Sequence, residues 1–384
     1  MYQVIRKRAW VEIDHCAIAH NVKQIKGILS PNTELMAVVK ADAYGHGAVK
    51  VTHTVLKAGC SSLAIATLAE GIELREAGYC VPILILGAIN TPEEVEIAAK
   101  WDLSPTLCNC DQAVIFSKTI TRLGKTLPVH LKLDTGMSRL GTLWHDAPEF
   151  VKLVNDLPNL KIAGIYSHLA TAENPDTSTM KQQQQRFEQA IASLKTPEFT
   201  PPKLHLANSA ATLGDFSSHY DLVRVGLALY GLYPAPHLRS VIPLKPALSV
   251  KSRITQIKTI PPGTGVSYGH QFVSDQELKL AVVGIGYADG VPRNLSNRVQ
   301  MLVRGRRVPQ IGNITMDQLM LDVSTIDDLQ VGEVVTLIGT DGEQQITADD
   351  WANIIQSISW EILCSFKHRL PRINGVAESS NDAL

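Results

Sequence analysis

The sequence predicts an α/β protein with an N-terminal (β/α)8 barrel followed by a C-terminal, mainly β domain. Short apolar segments alternate with helical patterns eight times between about residues 34 and 235, as in parallel strands joined by helices. After Pro234 and Pro236 the pattern changes to short strands separated by glycine and proline turns. The competing architecture is an open, doubly wound sheet, but no strand is followed by the G-x-G-x-x-G motif that would support one.

The eight repeating units can be followed in chain order. The predicted barrel strands are 35–39, 63–66, 83–86, 103–107, 129–133, 162–166, 203–206 and 222–225. The predicted helices are 15–29 before the first strand, then 47–58, 67–77, one from 91, one from 111, 146–156, 177–194 and a short one from 209. Thr91 followed by Pro92 is typical of a helix start, since threonine caps well and proline suits the first turn. We expect the four glutamines at 182–185 to lie on the exposed face of their helix.

The barrel domain is predicted to span residues 1–236 and the second domain 237–373. Predicted strands of the second domain are 247–260, 278–284, 299–303, 319–323 and 334–338, before a helix at 348–358. A further strand at 9–14 is a candidate for packing with the C-terminal domain. The polar tail at 374–384 is expected to be disordered.

Composition excludes several classes of function. The chain has 384 residues, 45% of them hydrophobic, and a net charge of −1, which fits a folded protein and argues against nucleic acid as a partner. No apolar run is long enough to span a membrane, and no secretory signal is recognisable. The six cysteines are scattered and should be reduced, so we expect a cytoplasmic protein. No H-x-x-x-H or C-x-x-C motif predicts a metal site.

Polar residues gather at the predicted carboxyl ends of the barrel strands, where such barrels hold their active sites. They are Lys40 after the first strand, Lys132 and Arg139 at the fifth, His168 after the sixth, Asn208 and Ser209 after the seventh, and Arg224, Gly226 and Leu227 at the eighth. A lysine at the edge of an apolar interior should have a lowered pKa and react with aldehydes, although a single strand-end lysine is more often merely exposed to solvent.

The loops after the seventh and eighth strands are the usual phosphate site of this architecture. The Ser209 hydroxyl and the backbone amides of Ser209, Gly226 and Leu227 suit that task. A buried lysine, a phosphate site and the lack of a metal motif together predict an aldehyde cofactor that carries a phosphate, namely pyridoxal 5′-phosphate.

The sequence resembles the alanine racemase family over roughly residues 9–373. The matching motifs are A-V-V-K-A-D-A-Y-G-H-G at 37–47, H-L-K-L-D-T-G-M-S-R-L-G at 130–141, Y-S-H-L-A-T-A at 166–172, H-L-A-N-S-A-A-T-L at 205–213, V-R-V-G-L-A-L-Y-G-L at 223–232, V-S-Y-G-H at 266–270, G-I-G-Y-A-D-G at 284–290 and M-D-Q at 316–318. Their order and spacing are those of the family, which makes the resemblance specific.

The resemblance implies roles for individual residues. Lys40 would bind the cofactor as a Schiff base and serve as one catalytic base, and Tyr268, supplied by the partner subunit, would be the other. The cofactor would be held by Tyr44, Asn208, Ser209, Gly226 and Leu227, with Arg224 on the pyridine nitrogen and His168 bracing Arg224. Arg139 and the Met316 amide, the latter from the partner, would bind the substrate carboxylate. Lys132, carbamylated in many relatives, would steady Arg139.

The implied function is the interconversion of L-alanine and D-alanine in a homodimer with shared active sites, supplying D-alanine for peptidoglycan. A serine or broad-specificity racemase is the alternative that the sequence leaves open. A pyridoxal phosphate decarboxylase would place a carboxylate, not Arg224, against the pyridine nitrogen. A single-barrel cofactor carrier would need no second base at Tyr268. His368 lies where some relatives carry a tyrosine near the phosphate, so its role stays open.

Overall fold

The structure, a computed structural model, describes residues 8–194, 199–200 and 202–375. Their contacts group them into two units. One comprises Ala17–Ala43 and Gly47–Lys245, and the other comprises the residues up to Cys16, Tyr44–His46 and those from Pro246 onward. The domain boundary at residue 236 stays a prediction, since this grouping does not test which segments fold independently. Apart from Asn374 and Gly375, the tail predicted at 374–384 lies outside the described residues.

The first unit contains the predicted barrel of parallel strands. Its eight strands are Glu34–Val38, Ser62–Ile65, Ile83–Ala88, Ser104–Leu107, Leu127–Asp134, Leu160–Tyr166, Lys203–His205 and Leu222–Val225. Each of the first six pairs with the next, and the eighth pairs with the first. Between the seventh and eighth, the amide of Arg224 donates to the Ala207 carbonyl at 3.0 Å. The nearly closed barrel confirms the fold class that the alternating pattern predicted.

Helices precede and connect the barrel strands. They are His15–Gly27, Ala48–Lys57, Leu68–Glu76, Pro92–Lys100, Cys110–Arg122, Ala147–Asp156, Ser178–Leu194 and Ser209–Gly214. Thr91 caps its helix as predicted, because its hydroxyl accepts the Glu94 amide while the Glu94 side chain accepts the Thr91 amide. A short strand, Thr142–Leu143, pairs with the fifth barrel strand. None of the helices in the described part of the chain is long and apolar enough to cross a membrane.

The expectation that the glutamines at 182–185 form an exposed face is wrong for two of them. Gln183 is 1% exposed and Gln184 is also buried. They fall three and four residues after Met180 and before Phe187, on the stripe of the helix that faces the core. Gln183 is tolerated there because its amide group accepts the Ala170 amide at 2.8 Å and donates to the His168 carbonyl at 3.1 Å.

The second unit is built on a nine-stranded sheet. Its strands, in sheet order, are Gln344–Ile346, Val334–Asp341, Gln300–Val303, Arg306–Ile311, Leu319–Asp322, Leu278–Val283, Leu248–Ile260, Ala9–Ile13 and Arg372–Asn374. The sheet curls back on itself, because Leu248–Ile260 also pairs with Val334–Asp341. A two-stranded ribbon of Gly265–Val266 and Phe272–Val273 and the helices Ala348–Ile355 and Ser359–Ser365 complete the unit.

The strand Arg306–Ile311 was not predicted as a strand. It forms a hairpin with Gln300–Val303, and the two turn residues, Arg304 and Gly305, have φ angles of 51° and 72°. Such angles suit a tight two-residue hairpin. The three arginines of this hairpin, Arg304, Arg306 and Arg307, bond within the protein; Arg304, for example, forms an ion pair with Glu333 at 2.6 Å.

Candidate active site

The carboxyl ends of the barrel strands bring several predicted site residues together in one unit. Lys132 lies inside the fifth strand and Arg224 inside the eighth, and they are only 5% and 3% exposed. Lys40 and His168 follow the first and sixth strands by two residues and are half-buried. Arg139 is exposed, in a cleft that Asp134 and Cys108 also line.

The backbone that follows Lys40 is strained. Ala41, Asp42, Ala43 and Tyr44 have φ angles of 53° to 55°, in the left-handed region that residues with a Cβ rarely adopt. The Glu70 carboxylate holds this turn by accepting the Ala41 amide at 2.7 Å, and its second oxygen accepts the Ala66 amide at 2.7 Å. The turn therefore fixes the direction in which the chain leaves Lys40.

Arg224 is held by hydrogen bonds on both of its terminal nitrogens. Nη1 donates to Nδ1 and to the carbonyl oxygen of His205, each at 3.0 Å. Nη2 donates to the carbonyls of Ser167 at 2.7 Å and Leu206 at 3.2 Å, and lies 3.3 Å from Nδ1 of His168. Burial lowers the pKa of Arg224 to about 10, so at pH 7 only roughly one molecule in a thousand has lost the proton.

The remaining donor of Arg224 is its Nε–H, which has no acceptor among the residues that the structure describes. A permanently protonated, rigidly held donor suits a ring nitrogen that must accept a hydrogen bond. The residues here therefore fit a pyridine ring such as that of pyridoxal phosphate. His168 beside it is neutral, since burial and then the charge of Arg224 lower its pKa well below the usual range.

Two buried histidines behind Arg224 were not among the predicted site residues. His205 stacks on the Tyr166 ring, with centroids 4.7 Å apart, and its Nε2 lies 3.0 Å from Nδ1 of His130. The two-residue alternation of a strand was a usable signal, because it places His130 on the same face as Lys132. No comparable signal points to Ser167, whose contribution is a backbone carbonyl.

Lys132 is a lysine whose charge is opposed by its surroundings. Its Nζ lies 4.6 Å from the centroid of the Tyr166 ring. Burial, followed by the positive charges of Arg224 and Arg139, lowers the pKa of Lys132 to about 7. Roughly half of its amine is thus neutral at pH 7.

The two loops of the predicted phosphate site are joined through Ser209. The Ser209 hydroxyl accepts hydrogen bonds from the amides of Gly226 at 3.1 Å and Ala228 at 3.4 Å, so the two loops meet at this oxygen. Leu227 begins a short 3-10 helix directly afterwards. Asn208 caps the helix Ser209–Gly214, since its Oδ1 accepts the Ala211 amide at 3.1 Å.

The other predicted site residues belong to the second unit. Burial raises the pKa of Tyr44 to about 12, so its phenol stays protonated and can donate to an anion. Tyr268 is 74% exposed and Met316 is 53% exposed, high values for large apolar side chains. His368 is exposed.

Tyr268 is presented by a strained but well-anchored loop. Its neighbours Ser267 and His270 have φ angles of 64° and 44°. The Ser267 hydroxyl donates to the Asn313 carbonyl at 2.6 Å, and the Asn313 side-chain amide donates to the Tyr268 carbonyl at 2.6 Å. Strain of this kind persists where the surroundings hold the backbone in place, and it is common at functional sites.

Comparisons with known proteins identify the family. The family models described as "Alanine racemase, N-terminal domain" and "Alanine racemase, C-terminal domain" match residues 13–234 and 247–374. A curated protein named alanine racemase from Synechocystis sp. is 66% identical over 370 residues, covering 96% of this chain and all of that protein.

Solved structures agree with this assignment. An alanine racemase from Bacillus anthracis with bound L-Ala-P aligns with a TM-score of 0.91 at 36% identity, covering 98% of this chain and 97% of that one. A histidine racemase from Leuconostoc mesenteroides aligns with a TM-score of 0.88 at 30% identity, covering 98% of this chain and 100% of that one. The resemblance seen in the motifs is confirmed, and the chain belongs to the alanine racemase family.

Proposed function

We propose that this chain interconverts L-alanine and D-alanine with pyridoxal 5′-phosphate as cofactor. The observation that carries the proposal is the buried guanidinium of Arg224, which is fixed by His205 and Ser167 and has one donor, Nε–H, left for a ring nitrogen. The 66% identity to the Synechocystis protein named alanine racemase supports alanine as the substrate.

Several residues would hold the cofactor. When bound, it supplies an aldehyde carbon that takes up an amine and a ring that draws electrons from the substrate Cα. Lys40 would hold the aldehyde end and Arg224 the ring nitrogen, braced by His168. Tyr44, Ser209 and the amides of Gly226 and Leu227 would hold the phosphate, and Asn208 would shape that site by capping the helix that begins at Ser209.

Racemisation requires that a proton leave one face of Cα and return on the other face, so the site needs two bases. Lys40 moves the proton at its Nζ on one face, and Tyr268 moves it at its Oη on the other. Arg139 and the Met316 amide orient the substrate carboxylate. Lys132, as a carbamate, steadies Arg139. Arg224, which does not give up its proton, would donate a hydrogen bond to the ring nitrogen and so limit electron withdrawal by the ring, which would favour return of the proton to Cα.

We propose that Tyr268 and Met316 act in the active site of a partner subunit, in a homodimer. The high exposure of both side chains supports this, since one chain leaves them uncovered. Racemase activity per chain should therefore fall on dilution into the range where monomers sediment. Constant activity per chain in that range would contradict the shared site.

The alternative is a racemase for serine or for a broad range of amino acids. The histidine racemase among the structural relatives shows that a similar chain can be assigned a substrate other than alanine. Comparing kcat/KM for alanine, serine and histidine on one preparation decides between them. A kcat/KM for serine equal to or above that for alanine would favour the alternative.

The function is tested by adding pyridoxal phosphate to the purified protein and following the visible spectrum and the enantiomers of alanine. Lys40→Met should abolish both the spectral change and the conversion. Lys118→Met, at an exposed position of the helix Cys110–Arg122, is the matched control and should retain both. Supply of D-alanine to peptidoglycan and a cytoplasmic location are part of the same proposal, which labelled cell-wall precursors and cell fractionation would test.

A further inference from the structure

Two buried histidines extend the hydrogen bonding of Arg224 into the barrel interior. Arg224 Nη1 lies 3.0 Å from His205 Nδ1, and His205 Nε2 lies 3.0 Å from His130 Nδ1. All three side chains are buried. The three side chains thus form one hydrogen-bonded chain, which runs from Arg224 on the eighth strand to His205 on the seventh and then to His130 on the fifth.

The positions of the protons in this chain follow from the chemistry of arginine, which donates hydrogen bonds and cannot accept them. Nδ1 of His205 must therefore be the acceptor, and the single ring proton of His205 lies on Nε2. That N–H donates to Nδ1 of His130, so the proton of His130 lies on its Nε2. A second proton on His205 would direct an N–H at the guanidinium.

The surroundings favour these neutral rings. Burial, followed by the charge of Arg224, lowers the pKa of His130 to about 4 and that of His205 well below the usual range. Tyr166 stacks on His205 with an angle of 6° between the rings. The Tyr166 hydroxyl contacts Thr106 at 2.7 Å, which restricts rotation of the stacked pair.

A glycine leaves the space that the histidine pair needs. Gly164 lies on the sixth strand, between the strands that carry His130 and His205, and pairs directly with His130. A Cβ at Gly164 would lie 2.5 Å from Nδ1 of His130, the atom that accepts the hydrogen bond from His205 Nε2–H. The ring-to-ring hydrogen bond therefore depends on a position without a side chain.

We propose that His130 is a positioning residue for Arg224. His130 accepts a hydrogen bond from Nε2–H of His205. It thereby favours the His205 tautomer whose Nδ1 can accept a hydrogen bond from Arg224 Nη1. That bond, together with the carbonyl acceptors of Nη2, fixes the plane of the guanidinium and hence the direction of Nε–H. The tautomer assignment does not depend on the function; its effect on the reaction rests on the proposed function.

The first test uses the cofactor-free wild-type protein with 15N-labelled histidine. The 15N resonances of His205 and His130, assigned from single substitutions, should both show protonated Nε2 and unprotonated Nδ1 at neutral pH. The preferred His205 tautomer should exceed the other by about ten-fold or more, the value of one good hydrogen bond. A proton on Nδ1 of His205, or a doubly protonated ring, would overturn the proposal.

The second test separates acceptance of a hydrogen bond from packing. His130→Asn keeps an acceptor oxygen near the place of Nδ1, and His130→Leu removes it. The Leu variant should retain only the part of the tautomer preference that Arg224 imposes, and should form more keto acid per D-alanine produced, by several-fold. The Asn variant should restore both values.

The control for these variants is His219→Leu. His219 is also a buried histidine of the same unit, but it bonds to the Thr212 carbonyl at 3.0 Å and is not part of the Arg224 chain. It should change neither the His205 tautomer nor the product ratio. The proposal would be overturned if His130→Leu had the tautomer ratio and product ratio of the wild type. It would also be overturned if His130→Asn changed these ratios as much as His130→Leu does.

The inference and the proposed function fail separately. A protein without racemase activity, whose His205 nevertheless shows the expected tautomer, would refute the function and leave the proton order standing. An active racemase whose His205 carries its proton on Nδ1 would refute the positioning role alone.

Discussion

Lys132 allows the sharpest quantitative prediction. Its pKa of about 7 means that roughly half of its amine is neutral at pH 7 and about nine-tenths at pH 8, against well under one in a hundred for an exposed lysine. Only a neutral amine adds carbon dioxide, with loss of one proton, and the product is an anion. A carbamate at Lys132 would attract Arg139 and Arg224, whereas the ammonium repels them. We therefore expect carbamylation when bicarbonate is present.

The same shift predicts how stability depends on pH without carbon dioxide. Lys132 titrates near pH 7 in the folded protein and near 10.5 when unfolded. Between these values the unfolded chain binds a proton that the folded chain lacks, so stability rises with pH across that window. The full difference between the folded and unfolded pKa values of Lys132 corresponds to up to about 5 kcal/mol of unfolding free energy. Lys132→Met should therefore stabilise the fold by a few kcal/mol near pH 6 and by little near pH 10.

The assay is chemical denaturation at several pH values, in carbon dioxide-free buffer and with bicarbonate. Bicarbonate should stabilise the wild type at about pH 8 and leave Lys132→Met unchanged, because a ligand that binds only the folded state stabilises it. With 13C-bicarbonate, a carbamate NMR resonance should appear in the wild type and be absent from Lys132→Met. The reasoning is refuted if bicarbonate produces neither effect.

Three further predictions concern the supports of the site. Arg224→Glu should lower racemisation and raise the share of keto acid, because a carboxyl partner lets the ring nitrogen become protonated; an unchanged product ratio in an alanine assay would contradict this. Glu70→Ala removes the acceptor of the Ala41 and Ala66 amides and should lower the free energy of unfolding by about 2–4 kcal/mol, measured by chemical denaturation. Glu70→Gln should lower it less, and equal losses in the two variants would count against this role of Glu70. His130 titrates near pH 4 when folded and 6.5 when unfolded, so its contribution is lost as pH falls through that window. His130→Asn should reduce the loss of unfolding free energy between pH 6.5 and pH 4 by up to about 3 kcal/mol, and an unchanged acid unfolding transition would contradict this.

The barrel was predictable because its strands are short, apolar and bounded by turn residues. The strand Ser62–Ile65, for example, is buried at every position, and such a run leaves few alternatives to a central parallel strand. Glutamines were misplaced because polarity alone does not show which positions of a helix face the core. Gln183 can lie there only because backbone groups of residues 168 and 170 are near enough to bond with it.

The rule that such barrels hold their active sites at the carboxyl ends of the strands located the polar residues there, but it did not predict their hydrogen bonds. Arg224 is fixed largely by the carbonyls of Ser167, His205 and Leu206, and a backbone carbonyl leaves no mark in the sequence. The left-handed turn after Lys40 was equally hidden, since alanine at positions 41 and 43 gives no hint of positive φ. Tertiary contacts such as those of Glu70 make that turn possible.

The central claim is that Lys40 and Arg224 hold pyridoxal phosphate for the racemisation of alanine. The most direct measurement mixes the purified protein with the cofactor, records the visible spectrum, and follows L-alanine by an enantiomer-resolving assay. The account predicts a visible absorption band that Lys40→Met lacks, and conversion until both enantiomers are equally abundant. A protein that stays colourless and leaves L-alanine unchanged would contradict it.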